Sequence, residues 1–411
     1  MSIIRALQDN EIPELLRIVA NAYPSFELHS PEATAKLKKR LLQALDEGFA
    51  NRICGLFRDG RLLGGMRWLD FEMNLFEKPV PFGGVGLVAV DLVHKKEQVC
   101  KEMIQAFIQH YDEAGTALVG LYGFRLDFYK QMGFGFGNVT HHYRIRPEQF
   151  PCTQKDGIRF LTADDGEAIA ACYQRYMDGR HGLLAKSQYE INEYSRNDTT
   201  HLVGFATSDR IEGYLVYRYQ VDGLNTDLQV IEFVYENDTA YRQLCTFLHT
   251  QLDQIRWILF NTQDDHFYYQ FSNPVNSQSG EVPLHHASSG SEIGIMYRVV
   301  NTGRLIEQLA DHNFNDVSMN LKIELQDTFH PENSGIYPVR VHEGKMCLDE
   351  NIGSCPFIRL DVAEFTSLVL GLVPFRKLVR YGLADISDTE CLPRIDRLFH
   401  CTQKPQCWTR F

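Results

Sequence analysis

The sequence has no apolar run long enough to cross a membrane, and it has few cysteines for its length. The most apolar stretch, residues 365–375, covers only about half of a membrane-spanning helix and contains Pro374. The ten cysteines are scattered and form no CxxC pair, unlike the dense cysteines of a small disulfide scaffold. Acidic residues near the N-terminus replace the apolar core that a secretory signal needs. We therefore expect a cytoplasmic protein with reduced thiols and no membrane partner.

Basic residues are also in deficit, with 41 Lys and Arg against 53 Asp and Glu and a net charge of −12. This balance argues against nucleic acid as the main partner and favours, weakly, a cationic small molecule. No histidine pair has HExxH spacing, and His141 and His142 fall in a predicted strand, where neighbouring side chains point to opposite faces. The sequence thus predicts no metal site.

The order of the elements predicts three domains in a chain of 411 residues. The first 150 residues read as a helix followed by alternating strands and helices, and residues 158–253 repeat that order, which suggests an internal structural duplication. Residues 273–294 are rich in Ser, Gly, Asn and Pro, as in a loop. We place the domains at residues 1–154, 155–294 and 295–411, with a mixed α/β (α+β) fold.

The first informative motif is an apolar strand that ends in a basic turn and leads into a helix. The strand contains Val88, Ala89 and Val90 after the glycine-rich residues 83–86, and the turn reads His-Lys-Lys-Glu-Gln over residues 94–98. Backbone N–H groups at the start of a helix, next to the positive end of its dipole, suit a pyrophosphate. Taken alone, the same pattern is more typical of a solvated turn before a surface helix.

The second motif, Phe-Tyr-x-x-x-Gly-Phe at residues 128–134, follows some thirty residues later. Together the two motifs resemble the GNAT N-acetyltransferase pattern. The three-domain order resembles the enhanced intracellular survival (Eis) acetyltransferases, whose last domain resembles sterol carrier proteins. Here that part of the resemblance depends on residues 331–335, 368–371 and 392–399. It implies two GNAT-like mixed-sheet domains followed by a sterol-carrier-like α+β domain, and a homo-oligomer, a hexamer in the family.

The resemblance also implies acetyl-CoA as co-substrate and assigns the site residue by residue. Tyr129 falls on the general acid, and the α-carboxylate of Phe411 falls on the general base. The positions that contact acetyl-CoA fall on Val88, Ala89, Val90, Lys96, Glu97, Gln98, Val99, Cys100, Lys101, Phe124 and Arg125.

The turn departs from the family pattern at two positions. Gln98 stands where the family has a glycine, so its β-carbon would crowd the pyrophosphate, and Glu97 adds a like charge. An alternative is therefore a non-catalytic protein that binds an acyl-CoA or an apolar ligand on a degenerate GNAT scaffold. A third class, a structural or assembly module, would bind no small molecule.

On the enzymatic interpretation, a primary amine attacks the acetyl thioester directly and Tyr129 protonates the departing thiolate. Cys100 begins the predicted helix, where a thiol can be activated, but we interpret it as a packing or backbone-contact residue. Tyr23, Phe26 and the acidic balance suit a small cationic molecule or a lysine side chain, such as an aminoglycoside, a polyamine or a protein lysine. The sequence does not choose among these acceptors.

Overall fold

The computed structural model describes residues 2–28, 30–49, 52–153, 155–208, 210–276 and 284–411. The predicted boundary at residue 154 and residues 277–283 of the predicted loop lie outside the described residues. The chain forms two compact units, one of Met1–Gly137 with Ile295–Phe411 and one of Asn138–Gly294.

The helices are α1 Ile12–Ala22, α2 Pro31–Asp46, α3 Val99–Glu113, α4 Leu126–Lys130, α5 Gly166–Asp178, α6 Gln188–Arg196, α7 Asp238–His249, α8 Thr302–Gln308, α9 Val362–Val369, α10 Phe375–Arg380 and α11 Leu392–Leu398. The strands are β1 Ser2–Ala6, β2 Arg52–Arg58, β3 Arg61–Leu75, β4 Lys78–Val90, β5 Leu118–Tyr122, β6 Gly135–Phe136, β7 Val139–Ile145, β8 Ile158–Phe160, β9 His201–Ala206, β10 Ile211–Asp222, β11 Asn225–Tyr235, β12 Ile258–Thr262, β13 Ser289–Ile293, β14 Ile295–Val299, β15 Met319–Gln326, β16 Gly335–His342, β17 Lys345–Leu348, β18 Phe357–Asp361 and β19 Ala384–Ile386.

The first sheet has the order β1-β2-β3-β4-β5-β14-β6. The turn between β2 and β3 is Asp59-Gly60, and both residues have positive φ, as a tight hairpin turn requires. Strand β14 follows the second unit in sequence, yet it pairs with β5 on one side and β6 on the other. A strand placed by sequence at the start of the third domain therefore lies inside the sheet of the first.

Helix α3 packs on this sheet through an apolar face with helical spacing. Val99, Met103, Ile104, Phe107 and Ile108 are all buried in one cluster with side chains of β3, β4 and β5. Burying a side chain of this size contributes about 1.5–3 kcal/mol. The packing fixes the start of α3 beside the end of β4, which is where the basic turn lies.

The C-terminal part of the first unit has a sheet with the order β17-β16-β15-β18-β19. All eight residues of α9 are buried. This helix contacts β14 and β6, where the Thr366 hydroxyl accepts from the Val299 N–H at 3.0 Å and the Ser367 hydroxyl donates to the Phe136 carbonyl at 3.1 Å. The α9 helix is thus a packing element between the C-terminal domain and the first sheet.

The second unit has its own sheet, with the order β13-β7-β12-β11-β10-β9-β8. Along the chain, β8, α5, α6, β9 to β11, α7 and β12 follow the order of β1, α1, α2, β2 to β4, α3 and β5. The unit has a separate apolar core that includes Leu215, Leu228, Leu244 and Ile258.

Candidate active site

Strands β4 and β5 run parallel and then separate. Their pairing extends from Phe82 to Val85 on β4. Beyond it, Leu87 has a left-handed φ of 53° and the register against β3 shifts, which is the geometry of a β-bulge. Within the described pairings, Ala89 and Val90 pair with β3, Val88 lies in the bulge, and none of the three has a partner on the β5 side. This segment therefore has backbone groups available for a ligand.

Tyr129 lies in α4, directly after β5, and its side chain is buried. Its ring makes edge-to-face contacts with the rings of Phe124, Phe128 and Phe134. Burial is the main reason that the pKa of Tyr129 lies well above its ordinary value, and the neighbouring Cys100 thiol and Tyr23 phenol raise it further. The phenol is consequently protonated at neutral pH, as a proton donor must be.

Cys100 lies in the first turn of α3, close to Tyr129. Burial raises the pKa of its thiol to about 12, although a hydrogen bond with Tyr129 acts in the opposite direction. The thiolate is the nucleophilic form of cysteine, and at neutral pH this thiol is protonated. The environment favours packing over nucleophilic catalysis at this position.

Tyr23 follows the last turn of α1 and reaches the unpaired segment of β4. Its hydroxyl donates a 2.6 Å hydrogen bond to the carbonyl of Val88, and its ring stacks on Phe26 with centroids 5.1 Å apart. Burial raises the pKa of Tyr23 to about 12. The sequence indicated these aromatics only as general acceptor-side residues, because nothing in the pattern of α1 places Tyr23 against β4.

The basic turn has two non-glycine residues in the left-handed region, Lys96 with φ 69° and Gln98 with φ 65°. Glycine adopts this region without strain, which explains why a glycine would suit position 98. Gln98 is the N-cap residue of α3 and makes no side-chain hydrogen bond to the helix. The first N–H groups of α3 therefore receive no side-chain cap from Gln98, and Lys95, Lys96 and Lys101 are exposed around them. These features fit a pyrophosphate.

Glu97 is partly neutralised by a cation that the sequence analysis missed. Its carboxylate lies 3.4 Å from Nη1 of Arg58 and 3.1 Å from Nδ1 of His94. Nη2 of Arg58 also donates to the Glu97 carbonyl at 3.0 Å and to Glu102 at 2.5 Å. Because Arg58 comes from β2, no local pattern in the turn could have revealed it.

Phe124 and Arg125 lie between β5 and α4, just beyond the end of the strand, and both are exposed. The Phe124 ring is 6.0 Å from that of Tyr129. Nη2 of Arg125 lies 2.5 Å from a carboxylate oxygen of Asp127, in the first turn of α4. The Phe124 ring thus contacts the ring of the predicted acid.

The C-terminal residues reach β4 from the other end of the sequence. Pro405, Cys407 and Thr409 are buried and alternate with more exposed residues. The hydroxyl of Tyr122, at the end of β5, donates to the Thr409 carbonyl at 3.0 Å. A β-carbon placed on Gly86 would lie only 2.6 Å from the carboxyl carbon of Phe411, so this group contacts β4 two residues before Val88.

The start of α7 in the second unit corresponds to the start of α3 but has different chemistry. Asn237 caps α7 by accepting from the Ala240 N–H at 2.9 Å, and Glu236 is paired with Arg175 and Arg210. On the preceding strand, Glu232 is buried. Its partner Lys186 lies 3.2 Å away. The start of α7 is thus capped by a side chain of the protein and surrounded by acidic groups, whereas the basic turn before α3 has no side-chain cap.

Among the described residues, no three His, Cys, Asp or Glu side chains are grouped so that they could hold a metal ion. Over the same residues, no helix combines the length and the apolar character needed to span a bilayer.

Family models and solved structures assign the domains. A model for an acetyltransferase (GNAT) domain matches residues 3–137, a second GNAT model matches residues 182–299, and a sterol carrier protein domain matches residues 305–408. No curated protein matches the sequence.

The fold is shared over its full length with several solved structures. A GCN5-related N-acetyltransferase from Anabaena variabilis is 16% identical with a TM-score of 0.81, and all of each chain is covered. A conserved protein of unknown function from Enterococcus faecalis is 18% identical with a TM-score of 0.82, again with complete coverage of both chains. Eis1 from Mycobacterium abscessus is 22% identical with a TM-score of 0.77 and the same coverage. The chain is therefore an acetyltransferase in which two GNAT domains precede a sterol carrier protein domain, and it shares its fold with Eis1.

Proposed function

We propose that this chain transfers the acetyl group of acetyl-CoA to a primary amine, with Tyr129 as general acid and the α-carboxylate of Phe411 as general base. The observation that carries the proposal is the convergence of three features on one strand. Val88 to Val90 are unpaired on the β5 side, the buried Tyr129 shares an apolar cluster with Val88, and the carboxyl group of Phe411 contacts Gly86.

The residues predicted to hold acetyl-CoA fit it, with one constraint. The backbone of Val88, Ala89 and Val90 supplies hydrogen-bonding groups, while the uncapped start of α3 and its lysines suit the pyrophosphate. The constraint is Gln98, a residue with a β-carbon whose backbone has a left-handed conformation at the turn where the pyrophosphate would bind. Acetyl-CoA supplies a thioester whose carbonyl carbon the amine attacks.

The proton transfers follow from the residues of the chain. Once the C–N bond has formed, the nitrogen gives a proton to the Phe411 carboxylate. As the C–S bond breaks, Tyr129 gives its proton to the sulfur, so the products are an N-acetyl amine and a free thiol. We propose that the transfer is direct, and the raised pKa of the buried Cys100 thiol disfavours an acyl-enzyme on that residue.

The proposed base, the α-carboxylate of Phe411, has a much lower pKa than the ammonium form of the acceptor. A free α-carboxyl has a pKa of about 3.5 and an ammonium of about 10.4, a gap of about seven units or roughly 9 kcal/mol. We infer that the small neutral fraction of the amine attacks, that the attacked nitrogen, now more acidic, then gives a proton to the carboxylate, and that positioning of the amine supplies much of the rate.

We further propose a cationic amine or a lysine side chain as acceptor, a cytoplasmic location and a homo-oligomeric state. All ten cysteines are free thiols, which supports a reducing compartment. The tip of the β10–β11 hairpin exposes Tyr219, Val221 and Leu224, which supports contact with another copy. Sedimentation velocity measures the oligomeric state, and a strictly monomeric protein would contradict this part of the proposal.

The proposed function is tested by calorimetric titration with acetyl-CoA followed by a screen of amines for release of free thiol. We expect micromolar binding and thiol release with at least one polyamine, aminoglycoside or lysine peptide. Absence of binding at high micromolar acetyl-CoA would favour the non-catalytic alternative. If the titration shows that acetyl-CoA binds at high micromolar concentration but no amine causes release of free thiol, the proposed class of acceptor would be contradicted.

A further inference from the structure

The glycine-rich segment of β4 precedes the acetyl-CoA positions, and its glycines have no role above beyond the contact of Gly86 with Phe411. Gly84 and Gly86 are two residues apart and so lie on the same face of the strand. A β-carbon on Gly84 would lie 2.8 Å from the Phe71 ring and 3.0 Å from the Phe411 ring. One on Gly86 would lie 2.6 Å from the carboxyl carbon of Phe411 and 3.1 Å from its carbonyl oxygen. Neither glycine has a positive φ, so space rather than backbone conformation requires glycine here.

A third residue holds the segment that precedes Phe411. The Tyr122 hydroxyl donates to the Thr409 carbonyl at 3.0 Å, and its ring contacts the Phe411 ring edge-on with centroids 5.4 Å apart. The Phe411 ring also contacts the Phe71 ring, with centroids 5.1 Å apart. Burial raises the pKa of Tyr122 well above its ordinary value, so its phenol is a hydrogen-bond donor at neutral pH.

We propose that Gly84, Gly86 and Tyr122 form a seat that positions the carboxyl group of Phe411 against β4. The three are positioning residues, because they act through Phe411. The position of the Phe411 carboxyl group follows from the contacts alone. The effect of these residues on the rate of acetyl transfer rests on the proposed function.

The effect on rate follows from distance. Carbon atoms in ordinary contact lie about 3.5–4.0 Å apart, so a methyl group on Gly86 must displace the carboxyl carbon by about 1 Å. A misplacement of about 1 Å at a reacting group costs on the order of 100-fold in rate. Tyr122 holds the chain at Thr409, two residues before Phe411, which limits how far the backbone of Phe411 can shift away from Gly86.

The kinetic test compares Gly86→Ala with Gly303→Ala, a glycine whose added β-carbon would find its nearest atom at 3.7 Å. We expect Gly86→Ala to lower kcat about 100-fold with the Kd of acetyl-CoA unchanged, and Gly303→Ala to match the parent. In a chain that lacks Phe411, Gly86→Ala should lower kcat no further. The seat would be overturned if Gly86→Ala left kcat undiminished, or if it lowered kcat equally in the full chain and in the chain that lacks Phe411.

A second test needs no acetyl transfer. Carboxypeptidase should release Phe411 about fivefold faster from Tyr122→Phe than from the parent, measured by mass spectrometry. The control is Tyr337→Phe, which removes another hydroxyl that donates to a backbone carbonyl, that of Asn333 at 2.9 Å. Equal release from both variants and the parent would contradict the seat. If the parent acetylates no amine, the proposed function fails, whereas these release rates still decide the position of Phe411.

Discussion

Tyr23 and Val88 are joined by a 2.6 Å hydrogen bond from the phenol to the strand carbonyl. The carbonyl belongs to the segment of β4 that has no partner on the β5 side, so the phenol occupies an acceptor that a ligand amide could use.

Tyr23→Phe should therefore bind acetyl-CoA more tightly. A typical hydrogen bond contributes about 0.5–1.5 kcal/mol net, which corresponds to roughly two- to tenfold in Kd. Calorimetric titration measures the change, with Tyr337→Phe as the control because its phenol bonds a carbonyl in the C-terminal domain. Weaker binding by Tyr23→Phe would mean that the phenol contributes to the ligand site instead.

Tyr129→Phe should lower kcat by a factor of about 10²–10⁴, the usual contribution of a general acid, and leave the Kd of acetyl-CoA unchanged. Because the pKa of Tyr129 is raised by burial, the phenol keeps its proton through pH 10 and the parent should show no loss of kcat from this group below that pH. Because the pKa of Tyr129 is higher in the folded than in the unfolded protein, the neutral phenol stabilises the folded state. This contribution is complete below the unfolded pKa of about 10 and is lost as the pH rises above that value. An alkaline decline of kcat near pH 8 that disappears in Tyr129→Phe would contradict the raised pKa.

Gln98→Gly should strengthen acetyl-CoA binding and stabilise the turn. The left-handed conformation of Gln98 costs about 1 kcal/mol or more for a residue with a β-carbon, and glycine avoids that cost. Gln98→Ala is the matched control, because it shortens the side chain and keeps the β-carbon. Calorimetry and urea unfolding give the two readouts, and equal behaviour of the two variants would show that the β-carbon is not what limits binding.

Arg298→Met should destabilise the first unit by about 3–5 kcal/mol, because it leaves a buried carboxylate without its cation. Nη2 of Arg298 donates to both carboxylate oxygens of Asp327 at 2.8 and 2.6 Å, and both side chains are fully buried. The paired change Arg298→Met with Asp327→Asn should cost less than Arg298→Met alone in urea unfolding. A larger loss in the pair would show that Asp327 matters mainly through its other hydrogen bonds.

The sequence was sufficient for the local elements and for the family resemblance. The turn at Asp59-Gly60, the apolar face of α3 and the motif around Tyr129 are local patterns, and the structure places each on the predicted kind of element. The GNAT and sterol carrier assignments are confirmed by the family models. The exact domain boundaries stay predictions.

Long-range contacts could not be predicted in the same way. The pairing of β14 with β5 and the contact of Arg58 with Glu97 join segments far apart in the sequence, and no local pattern specifies such partners. The role of Phe411 as general base came only from family resemblance, and its contact with Gly86 came only from the structure. Residue types in a motif indicate chemistry, whereas the groups that modify it arrive from distant elements.

The position of β14 determines when the first sheet can be completed as the chain leaves the ribosome. Strands β5 and β6 leave the ribosome before any residue of the second unit, yet the strand between them follows that unit. At about 5–20 residues per second, the gap between β5 and β6 stays unfilled for on the order of ten seconds or more. During that interval the nascent first domain exposes two strand edges, and it completes its sheet only after the second unit has emerged.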